Sequence, residues 1–481
     1  MARRPGEILR SRSSRACAMG RKRKHGAALL AGRKRLRPEH ASGDWASLPT
    51  DMVCLVTDRL LHIGDVVDYV VFRAVCSAWR ASTPAPRERD PALMDPSLRQ
   101  RDWIALCDGD SDRPDDAGDL DLFHTRTARR VRVRVPDLAD HRIVGFSEGL
   151  LVLMHRSNAG IRVLNPLTRV AVDFPSLASV YPEAIKYPCA FLGMRAAVCT
   201  AASSIAVVVW CPYMDPVLAA EADSDHWEIL HRELPVSNTL VFQGRLYATT
   251  TFSSLDVVQL YPPTPKRTSL DDLPVTVARA PKIDGRPVGY NILLVESRGQ
   301  MLLVTRHYFA ATSANIGAYS PDKWWQQISF GVYEVNLNSN GNDAKLTPVS
   351  CLLDRALFLS SYGCLSISAI DLPSLRANSI YFSEGYHPVL MHSLTTGLSE
   401  ELSLECQIHD TYKRIRPSVR PFTIIDHLLT FCHPEEWTKG LMFHEYHYIP
   451  ESFRELRNKI RSRNLALFTD SFHSKQFISL V

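Results

Sequence analysis

The stretch Ile292-Leu-Leu-Val-Glu-Ser-Arg-Gly-Gln-Met-Leu-Leu-Val-Thr305 contains two apolar runs separated by a short turn signal. The runs Ile292–Glu296 and Met301–Thr305 have the length of β-strands, and Ser297-Arg-Gly-Gln300 places a glycine between them. Two such runs joined by a few residues that include glycine predict a β-hairpin. This stretch decides the fold class, because the same pattern recurs along much of the chain.

The recurring hairpins predict a mainly β domain over residues 122–435, or 314 residues. Strands with short loops favour a closed or radial all-β architecture. At about 50 residues per four-stranded blade, the length predicts a β-propeller of about six blades. The strand landmarks are unevenly spaced, so a paired β-sandwich is the alternative. The other predicted strands are Val131–Val135, Leu150–His155 with Ile161–Leu164, Leu240–Phe242 with Leu246–Thr249, and Ile380–Ser383 with Val389–Leu394.

Several short motifs of this β region resemble a known family in their order along the chain. They are Gly149-Leu-Leu-Val, Leu164-Asn-Pro-Leu-Thr168, Phe242-Gln-Gly-Arg-Leu-Tyr-Ala248, Leu293-Leu-Val-Glu-Ser297, Leu302-Leu-Val-Thr-Arg306, Ala356-Leu-Phe-Leu359 and Asn378-Ser-Ile-Tyr-Phe382. Together they resemble the plant KIB-type domain, and the resemblance implies a kelch-like propeller. The pattern fades after about residue 405, which leaves the last blade and its closure open.

Residues 44–83 read as a compact helical unit that precedes the β region. Apolar residues recur at helical spacing after Leu48-Pro49, His62-Ile-Gly64 ends the first helix, and Asp65 starts a second. A short third helix would carry Val75, Cys76 and Trp79. About 40 residues cannot bury all these apolar side chains on themselves, so the excess faces a neighbouring domain or a partner.

The two ends of this unit carry a second family resemblance. Trp45-Ala-Ser-Leu-Pro-Thr-Asp-Met-Val53 and Phe72-Arg-Ala-Val-Cys-Ser-Ala-Trp-Arg80 resemble an F-box at the expected separation. The resemblance implies docking on a SKP-type adaptor and, through it, on the cullin and RING subunits of a ubiquitin ligase. The adaptor-binding residues that it implies are Leu48, Pro49, Met52, Leu60, Val70, Val75, Cys76 and Trp79.

The net charge of +5 is unevenly distributed. Residues 1–40 hold 13 Lys and Arg against two Glu, a net of +11, and the remaining chain has a net of −6. The segment 1–43 is predicted to be disordered. Its two basic clusters resemble a bipartite nuclear-import signal, which predicts a nuclear protein that could also be cytoplasmic; the β region has no basic footprint for nucleic acid. The cluster residues are Arg21, Lys22, Arg23, Lys24, Arg33, Lys34, Arg35 and Arg37.

Two further segments complete the predicted organisation. Residues 84–121 read as a linker with a helical patch at Trp103–Cys107 and an acidic loop after it. The loop has some calcium-loop spacing but lacks the glycine and the bidentate Glu that such a site needs. Residues 436–481 read as an extension with a helix over 450–467. No apolar segment is long enough to span a bilayer, which predicts no membrane partner.

The patterns of catalytic and metal sites are weak. Gly145-Phe-Ser-Glu-Gly149 matches a nucleophile elbow in letters, but the strand-like Leu150–Leu153 after it predicts a strand–turn–strand context. The 11 cysteines include no C-x-x-C pair, so we expect free thiols, no metal site and no cofactor. Trp324 and Trp325, in a polar stretch, are candidates for a target-binding loop or for plugging a blade edge.

These patterns predict the substrate-recognition subunit of an SCF-type cullin–RING E3 ubiquitin ligase rather than an enzyme. The F-box unit would bind the SKP-type adaptor, and the β domain would bind a target protein that the sequence does not identify. Such a receptor acts by proximity, because it raises the effective concentration of target lysines near the E2 enzyme. The alternative is a non-ligase interaction scaffold with a β-propeller binding domain.

Overall fold

The computed structural model describes residues 45–432, apart from internal gaps at 64–65, 100, 107–117, 182–193, 202–203, 212–213, 251–255, 264–273, 282–286, 310–327, 338–343, 361–362, 383–388, 403–404, 410–414 and 420–423. The chain divides into two compact units. The first, residues 1–48, is described only at its end, where Trp45–Ser47 forms a turn of 3-10 helix. The second, residues 49–481, contains the helices and sheets below.

The described chain is mainly β, with 26 strands in seven sheets. Four sheets are antiparallel blades whose strands pair in chain order. Blade 1 is β4 (His141–Ser147), β5 (Leu150–His155), β6 (Gly160–Leu164) and β7 (Ala171–Ser176); blade 2 is β8 (Arg195–Ala201), β9 (Ser204–Cys211), β10 (Met214–Glu221) and β11 (Glu228–His231); blade 3 is β12 (Val236–Phe242), β13 (Arg245–Thr250), β14 (Asp256–Tyr261) and β15 (Thr276–Arg279); blade 4 is β16 (Pro287–Ser297), β17 (Gln300–Phe309), β18 (Ile328–Asn336) and β19 (Lys345–Pro348).

The remaining sheets depart from this plan. Blade 5 has the order β21-β20-β22-β23-β24, with β20 and β22 parallel, and blade 6 has only three described strands. The strands of blade 5 are β20 (Arg355–Leu359), β21 (Cys364–Ser368), β22 (Ser379–Phe382), β23 (Leu390–Ser393) and β24 (Leu398–Glu401); those of blade 6 are β1 (Trp103–Leu106), β2 (Asp119–His124) and β3 (Arg130–Arg134); β25 (Glu405–His409) and β26 (Ile415–Val419) pair as a separate hairpin.

The stretch that predicts the fold lies at the centre of blade 4. Ile292 and Leu294 pack toward blade 3, whereas Leu293 and Val295 pack toward blade 5, and all four are at most 3% exposed. Successive side chains of a strand point to opposite faces of the sheet. A blade that is covered on both faces therefore needs an apolar residue at every position, which explains a continuous run in place of an alternating one.

Six apolar clusters show that the blades form a closed ring. Each cluster joins one blade to the next: 1 to 2, 2 to 3, 3 to 4, 4 to 5, 5 to 6, and 6 back to 1. The architecture is a six-bladed β-propeller. The predicted blade number is confirmed, and the paired β-sandwich is wrong because a sandwich has no such cycle of face-to-face sheets.

Five helices accompany the described sheets: α1 (Thr50–Ile63), α2 (Val66–Ala74), α3 (Ser77–Ala81), α4 (Pro86–Arg89) and α5 (Ile424–Phe431). Helix α1 begins and ends close to the predicted positions, and α2 begins one residue after the predicted start. Of the residues predicted for the third helix, Trp79 lies in α3, but Val75 and Cys76 precede it because Cys76 is its N-cap. Helix α5 was not expected, and it packs between blades 5 and 6 through Leu428 and Leu429. Because it contacts the N-terminal blade, this C-terminal helix helps to close the ring.

The predicted helical patch after residue 102 is wrong. Trp103–Leu106 forms the strand β1, which pairs with β2 from Trp103↔His124 to Leu106↔Asp121. A four-residue apolar run has no helical or strand periodicity of its own, so a partner more than ten residues away decides its conformation. The predicted hairpins, by contrast, all appear as neighbouring strands wherever they lie within the described residues.

Candidate functional site

Helices α1 and α2 carry two sets of apolar side chains, and one of these sets is buried. On α1, Val53, Thr57 and Leu61 are spaced four residues apart and are buried. Leu61 joins Val66 and Tyr69 of α2 in a small core. A helix of 3.6 residues per turn places residues four apart on one side, so this stripe faces inward. The remaining apolar side chains of α1 must then face outward.

The outward side chains form a candidate docking surface, which we name the exposed apolar face. Large apolar residues are normally exposed singly, whereas a group of them within one small unit marks an interaction site. Side-chain exposures across this group range from 38% to 63%. Its members are Met52, Leu55, Val56, Val70, Val71 and Val75.

Internal contacts hold this face in shape. Phe72 stacks on Trp79 with 4.2 Å between ring centroids, and the Tyr69 hydroxyl donates to the Pro84 carbonyl over 2.7 Å. Cys76 caps α3, since its Sγ accepts a hydrogen bond from the Trp79 backbone N–H over 3.4 Å. The exposure of the apolar face is therefore a property of a well-packed unit and not of a frayed helix.

The structure places the predicted adaptor-binding residues in two groups. Pro49, Met52, Val70 and Val75 are exposed; Leu48, Leu60, Cys76 and Trp79 are half-buried. The sequence prediction omitted Leu55, Val56 and Val71, which are as exposed as the residues it named. The signal for Leu55 and Val56 was present, because α1 contains more apolar residues than one inward stripe can use, while Val71 lies on α2.

Polar contacts attach the helical unit and the segment after it to the propeller. Arg129 of blade 6 lies 2.6 Å from the Asp68 carboxylate of α2. The Arg87 Nε donates to the Thr168 carbonyl over 3.0 Å, and the buried Asn165 donates from Nδ2 to the Leu98 carbonyl over 2.9 Å. The motif Leu164-Asn-Pro-Leu-Thr168 thus binds the segment that follows the helical unit, and Leu98 of that segment packs with Leu61, Val66 and Tyr69 of the unit.

A second candidate site is a cavity of about 250 Å³ on the propeller axis, which we name the axial cavity. It is lined by blades 1 to 6 and by α5. Among the lining residues, Glu148 follows β4 and Glu296 lies near the end of β16, whereas Arg195 and Cys364 are the first residues of β8 and β21.

The charged side chains of the axial cavity are balanced. Arg101 Nη2 lies 2.5 Å from Glu148 Oε2, and Arg195 and Glu296 complete a set of two cations and two anions. Glu296 reaches the cavity, yet desolvation by the surrounding protein raises its pKa; the Arg101 charge opposes that shift and Glu148 adds to it. The cavity thus has no excess of either charge with which to concentrate a small ion.

The serine of the elbow-like motif lies in a hairpin. Ser147 ends β4, Glu148 and Gly149 form the turn with φ of 56° and 77°, and β5 follows at once. Two consecutive residues with positive φ are typical of a type I′ hairpin turn, which accounts for the glycine. The Ser147 hydroxyl donates to the Val198 carbonyl of blade 2 over 3.3 Å. The predicted strand–turn–strand context is confirmed, and the strand-to-helix turn of a nucleophile elbow is missing at this site.

Several predicted residues lie outside the described ranges. These are the import clusters with Arg21, Lys22, Arg23, Lys24, Arg33, Lys34, Arg35 and Arg37, the candidate target-binding Trp324 and Trp325, the acidic loop within 108–117, and the helix over 450–467. Across the described ranges, no helix has the length and apolarity needed to cross a bilayer. Those same ranges hold no cluster of three or more metal-binding side chains. The free thiols among them are Cys54, Cys76, Cys199, Cys211, Cys351, Cys364 and Cys432.

Comparison with known families identifies the ring. The family model for the KIB1-4 beta-propeller matches residues 122–404, more than half of the chain. The chain belongs to the KIB1-4 beta-propeller family. The matched residues begin within β2 and end after β24, so β1 and α5, which complete the ring of this member, lie outside them.

Individual known proteins resemble the chain less closely than the family model does. An Arabidopsis thaliana protein named "Putative F-box protein At4g17565" is 24% identical over 279 residues, which cover 53% of this chain and 65%, less than two thirds, of that protein. The Malassezia sympodialis allergen Mala s 1 aligns with 62% of this chain and 93% of its own at 12% identity and a TM-score of 0.29. An α-L-arabinofuranosidase of Clostridium thermocellum aligns with 48% and 82% at 12% identity and a TM-score of 0.24. Structural likeness at these scores carries no functional argument.

Proposed function

We propose that this protein is the substrate-recognition subunit of an SCF-type cullin–RING E3 ubiquitin ligase. In this proposal the exposed apolar face binds a SKP-type adaptor and the propeller binds the target protein. The observation that carries the proposal is the exposed apolar face itself, which lies in the segment that resembles an F-box. The F-box name of the Arabidopsis thaliana relative supports it.

The attachment of the helical unit suits a receptor that works by proximity. An intramolecular transfer gains rate only when the two groups are held within reach of each other. The Asp68–Arg129 ion pair joins α2 to blade 6, and the Arg87–Thr168 and Asn165–Leu98 hydrogen bonds join the segment after the helical unit to blade 1. A target bound on the ring would then keep a constant distance from an E2 enzyme held through the adaptor.

Adaptor binding by the full chain tests the proposal. Binding of a purified SKP-type adaptor is measured by calorimetry for the wild type and for a Leu55→Glu/Val71→Glu variant. Because both side chains are exposed, the fold should tolerate the change. Two charges in an apolar interface should weaken the free energy of adaptor binding by about 2 kcal/mol or more, roughly a 30-fold loss of affinity.

An Ile370→Glu/Leu398→Glu variant is the matched control, since it makes the same change at equally exposed apolar positions of blade 5. It should bind the adaptor like the wild type, and thermal unfolding should show that both variants remain folded. Failure of the folded wild type to bind the adaptor would overturn the proposal, and the non-ligase interaction scaffold would replace it.

A further inference from the structure

Two large apolar side chains are exposed side by side at one end of blade 5. Leu353, in the turn before β20, is 60% exposed, and Ile370, just after β21, is 75% exposed. The Ala369 N–H donates to the Asp354 carbonyl over 2.8 Å, so the two segments are in direct contact. We name residues 353–355 together with residues 368–371 the blade 5 end.

The backbone of Leu353 has a conformation that leucine rarely adopts. Its φ is 59°, in the left-handed region where a Cβ atom is disfavoured. Leu93 has the same φ, but its side chain is 1% exposed, so burial offsets the cost. Leu353 has no such burial. Neither backbone preference nor packing accounts for this leucine, and an outlier of this kind points to a contact with another molecule.

A half-buried cation lies beside these apolar side chains. Among the described residues, Arg355 has no carboxylate within ion-pair distance. Its Nη1 donates to the Ser366 carbonyl over 3.5 Å, and its Nε is buried without a hydrogen-bond partner. A guanidinium has five N–H donors, and a carboxylate can accept two of them in parallel. Arg355 therefore has donors left for an acidic group.

The surroundings of Arg355 leave its charge in excess and show which side of the ring it occupies. Two cations and two anions act on it from a distance and offset each other; they are Arg298, Arg126, Asp371 and Asp102. Arg126 lies in the turn between β2 and β3, and Arg129 of the same turn pairs with Asp68 of α2. The blade 5 end therefore lies on the side of the ring that α2 contacts.

We infer that the blade 5 end binds a short segment of the target protein in which an Asp or Glu lies next to large apolar side chains. The inference rests on the proposed function and identifies where the ring binds its target. The carboxylate pairs with Arg355, and the apolar side chains cover Leu353 and Ile370. A target held here lies on the side of α2, toward an E2 enzyme held through the adaptor.

The size of the blade 5 end favours a short segment over a second copy of this chain. A stable protein–protein interface takes about 20–30 residues on each side, several times what these two segments provide. A few apolar anchors around one charge pair are instead sufficient to hold a peptide, because a handful of central residues carries most of the binding free energy.

Peptide selection tests the inference. A phage-displayed library of linear seven-residue peptides is panned against the full-length wild type, and enriched peptides are titrated by fluorescence polarisation. Their sequences should share an Asp or Glu beside Leu, Ile or Phe. Replacing that acidic residue by its amide should weaken binding to the wild type at least about 10-fold. The same replacement should weaken binding to Arg355→Gln less than about 2-fold, because that variant has already lost the partner of the carboxylate.

A Leu353→Asn variant separates binding from folding. Asparagine adopts a positive φ more readily than leucine, so the variant should unfold at the wild-type temperature or above it. It should nevertheless bind the enriched peptides at least about 10-fold more weakly, because an apolar anchor is lost. Val275→Asn changes a 46% exposed apolar side chain next to β15 of blade 3 and should bind the peptides like the wild type.

The inference is wrong if no peptide is enriched, if the enriched peptides share no acidic residue, or if they bind Leu353→Asn like the wild type. It is also wrong if sedimentation velocity shows a dimer that Leu353→Asn dissociates, because a second copy then covers the blade 5 end.

Adaptor binding separates this inference from the proposed function. Ile370→Glu/Leu398→Glu should bind the adaptor and lose the peptides, whereas Leu55→Glu/Val71→Glu should lose the adaptor and bind the peptides. A wild type that binds the adaptor but no peptide overturns this inference alone. A wild type that binds the peptides but no adaptor overturns the proposed function.

Discussion

Blade 4 and helix α1 contain similar apolar residues, but the blade buries them and the helix exposes them. Ile292–Val295 is at most 3% exposed on both faces of its sheet, whereas Met52, Leu55 and Val56 are at least 38% exposed on a helix that is otherwise well packed. Burial of an apolar side chain contributes roughly 1.5–3 kcal/mol, so the blade uses its residues for stability. The exposed side chains of the helix do not contribute this free energy to folding. Their burial against a partner would instead stabilise a complex, as expected of a docking surface.

The sharpest test of this contrast is a large-to-small substitution in each region. Phe358→Ala removes a fully buried ring that stacks on Tyr381 with 4.8 Å between centroids. It should lower the free energy of unfolding by about 3–5 kcal/mol, while Leu55→Ala should change it by less than about 0.5 kcal/mol. Urea unfolding measures both. Equal losses would show that the helical face is buried in the folded protein and would remove the contrast.

A second substitution tests the polar part of the propeller core. Asn238 is buried; its Oδ1 accepts from the Leu294 N–H over 2.8 Å, and its Nδ2 donates to the Ser360 carbonyl over 3.4 Å. The side chain thus ties blade 3 to blades 4 and 5. Asn238→Leu should destabilise the protein by about 1–3 kcal/mol, because it leaves buried groups without partners. Asn336→Leu, near the outer edge of blade 4, is the control and should cost far less in the same urea experiment.

The pH dependence of stability offers a third comparison. Desolvation lowers the pKa of the buried His392, whose Nδ1 lies 2.9 Å from the Ser399 hydroxyl, and it also lowers the pKa of His141 and His307. The unfolded chain then binds more protons, so stability should fall as pH drops below about 6.5, the ordinary histidine value, until the folded-state pKa is passed.

Replacement of His392 by Gln should flatten this fall between pH 7 and pH 5. Thermal unfolding at a series of pH values measures the slope, and His62→Gln, at an exposed position of α1, should leave it unchanged. A slope that is the same in all three proteins would mean that the buried imidazole does not contribute.

The smallest expected effect concerns the contact between the two regions. Asp68 and Arg129 are 48% and 35% exposed, and exposed ion pairs contribute about 0.2–1 kcal/mol. A double-mutant cycle with Asp68→Ala and Arg129→Ala should give a coupling energy in that range, and it should shrink at high salt. A coupling above 2 kcal/mol would show that this pair, and not the apolar core around Leu61 and Tyr69, dominates the attachment.

The elements whose signals are local could be predicted from the amino-acid sequence alone. A run such as Ile292–Val295 followed by a glycine turn can only pair with its neighbour, and the period of α1 is readable in its own residues. The sequence also showed that the helical unit holds more apolar residues than it can bury, whereas Met52, Val70 and Val75 were named as contacts only through the resemblance to an F-box.

Tertiary contacts set which apolar stripe of α1 faces inward, which conformation Trp103–Leu106 adopts, and how the ring closes. The two apolar stripes of α1 have equal claims to the core in the sequence, and packing against a neighbouring element buries one of them. The four-residue run Trp103–Leu106 becomes a strand only because β2 pairs with it. Closure joins β1 to α5, which lie more than 300 residues apart in the chain. No local pattern encodes such a contact, because its free energy arises only when the five intervening blades bring the two ends together.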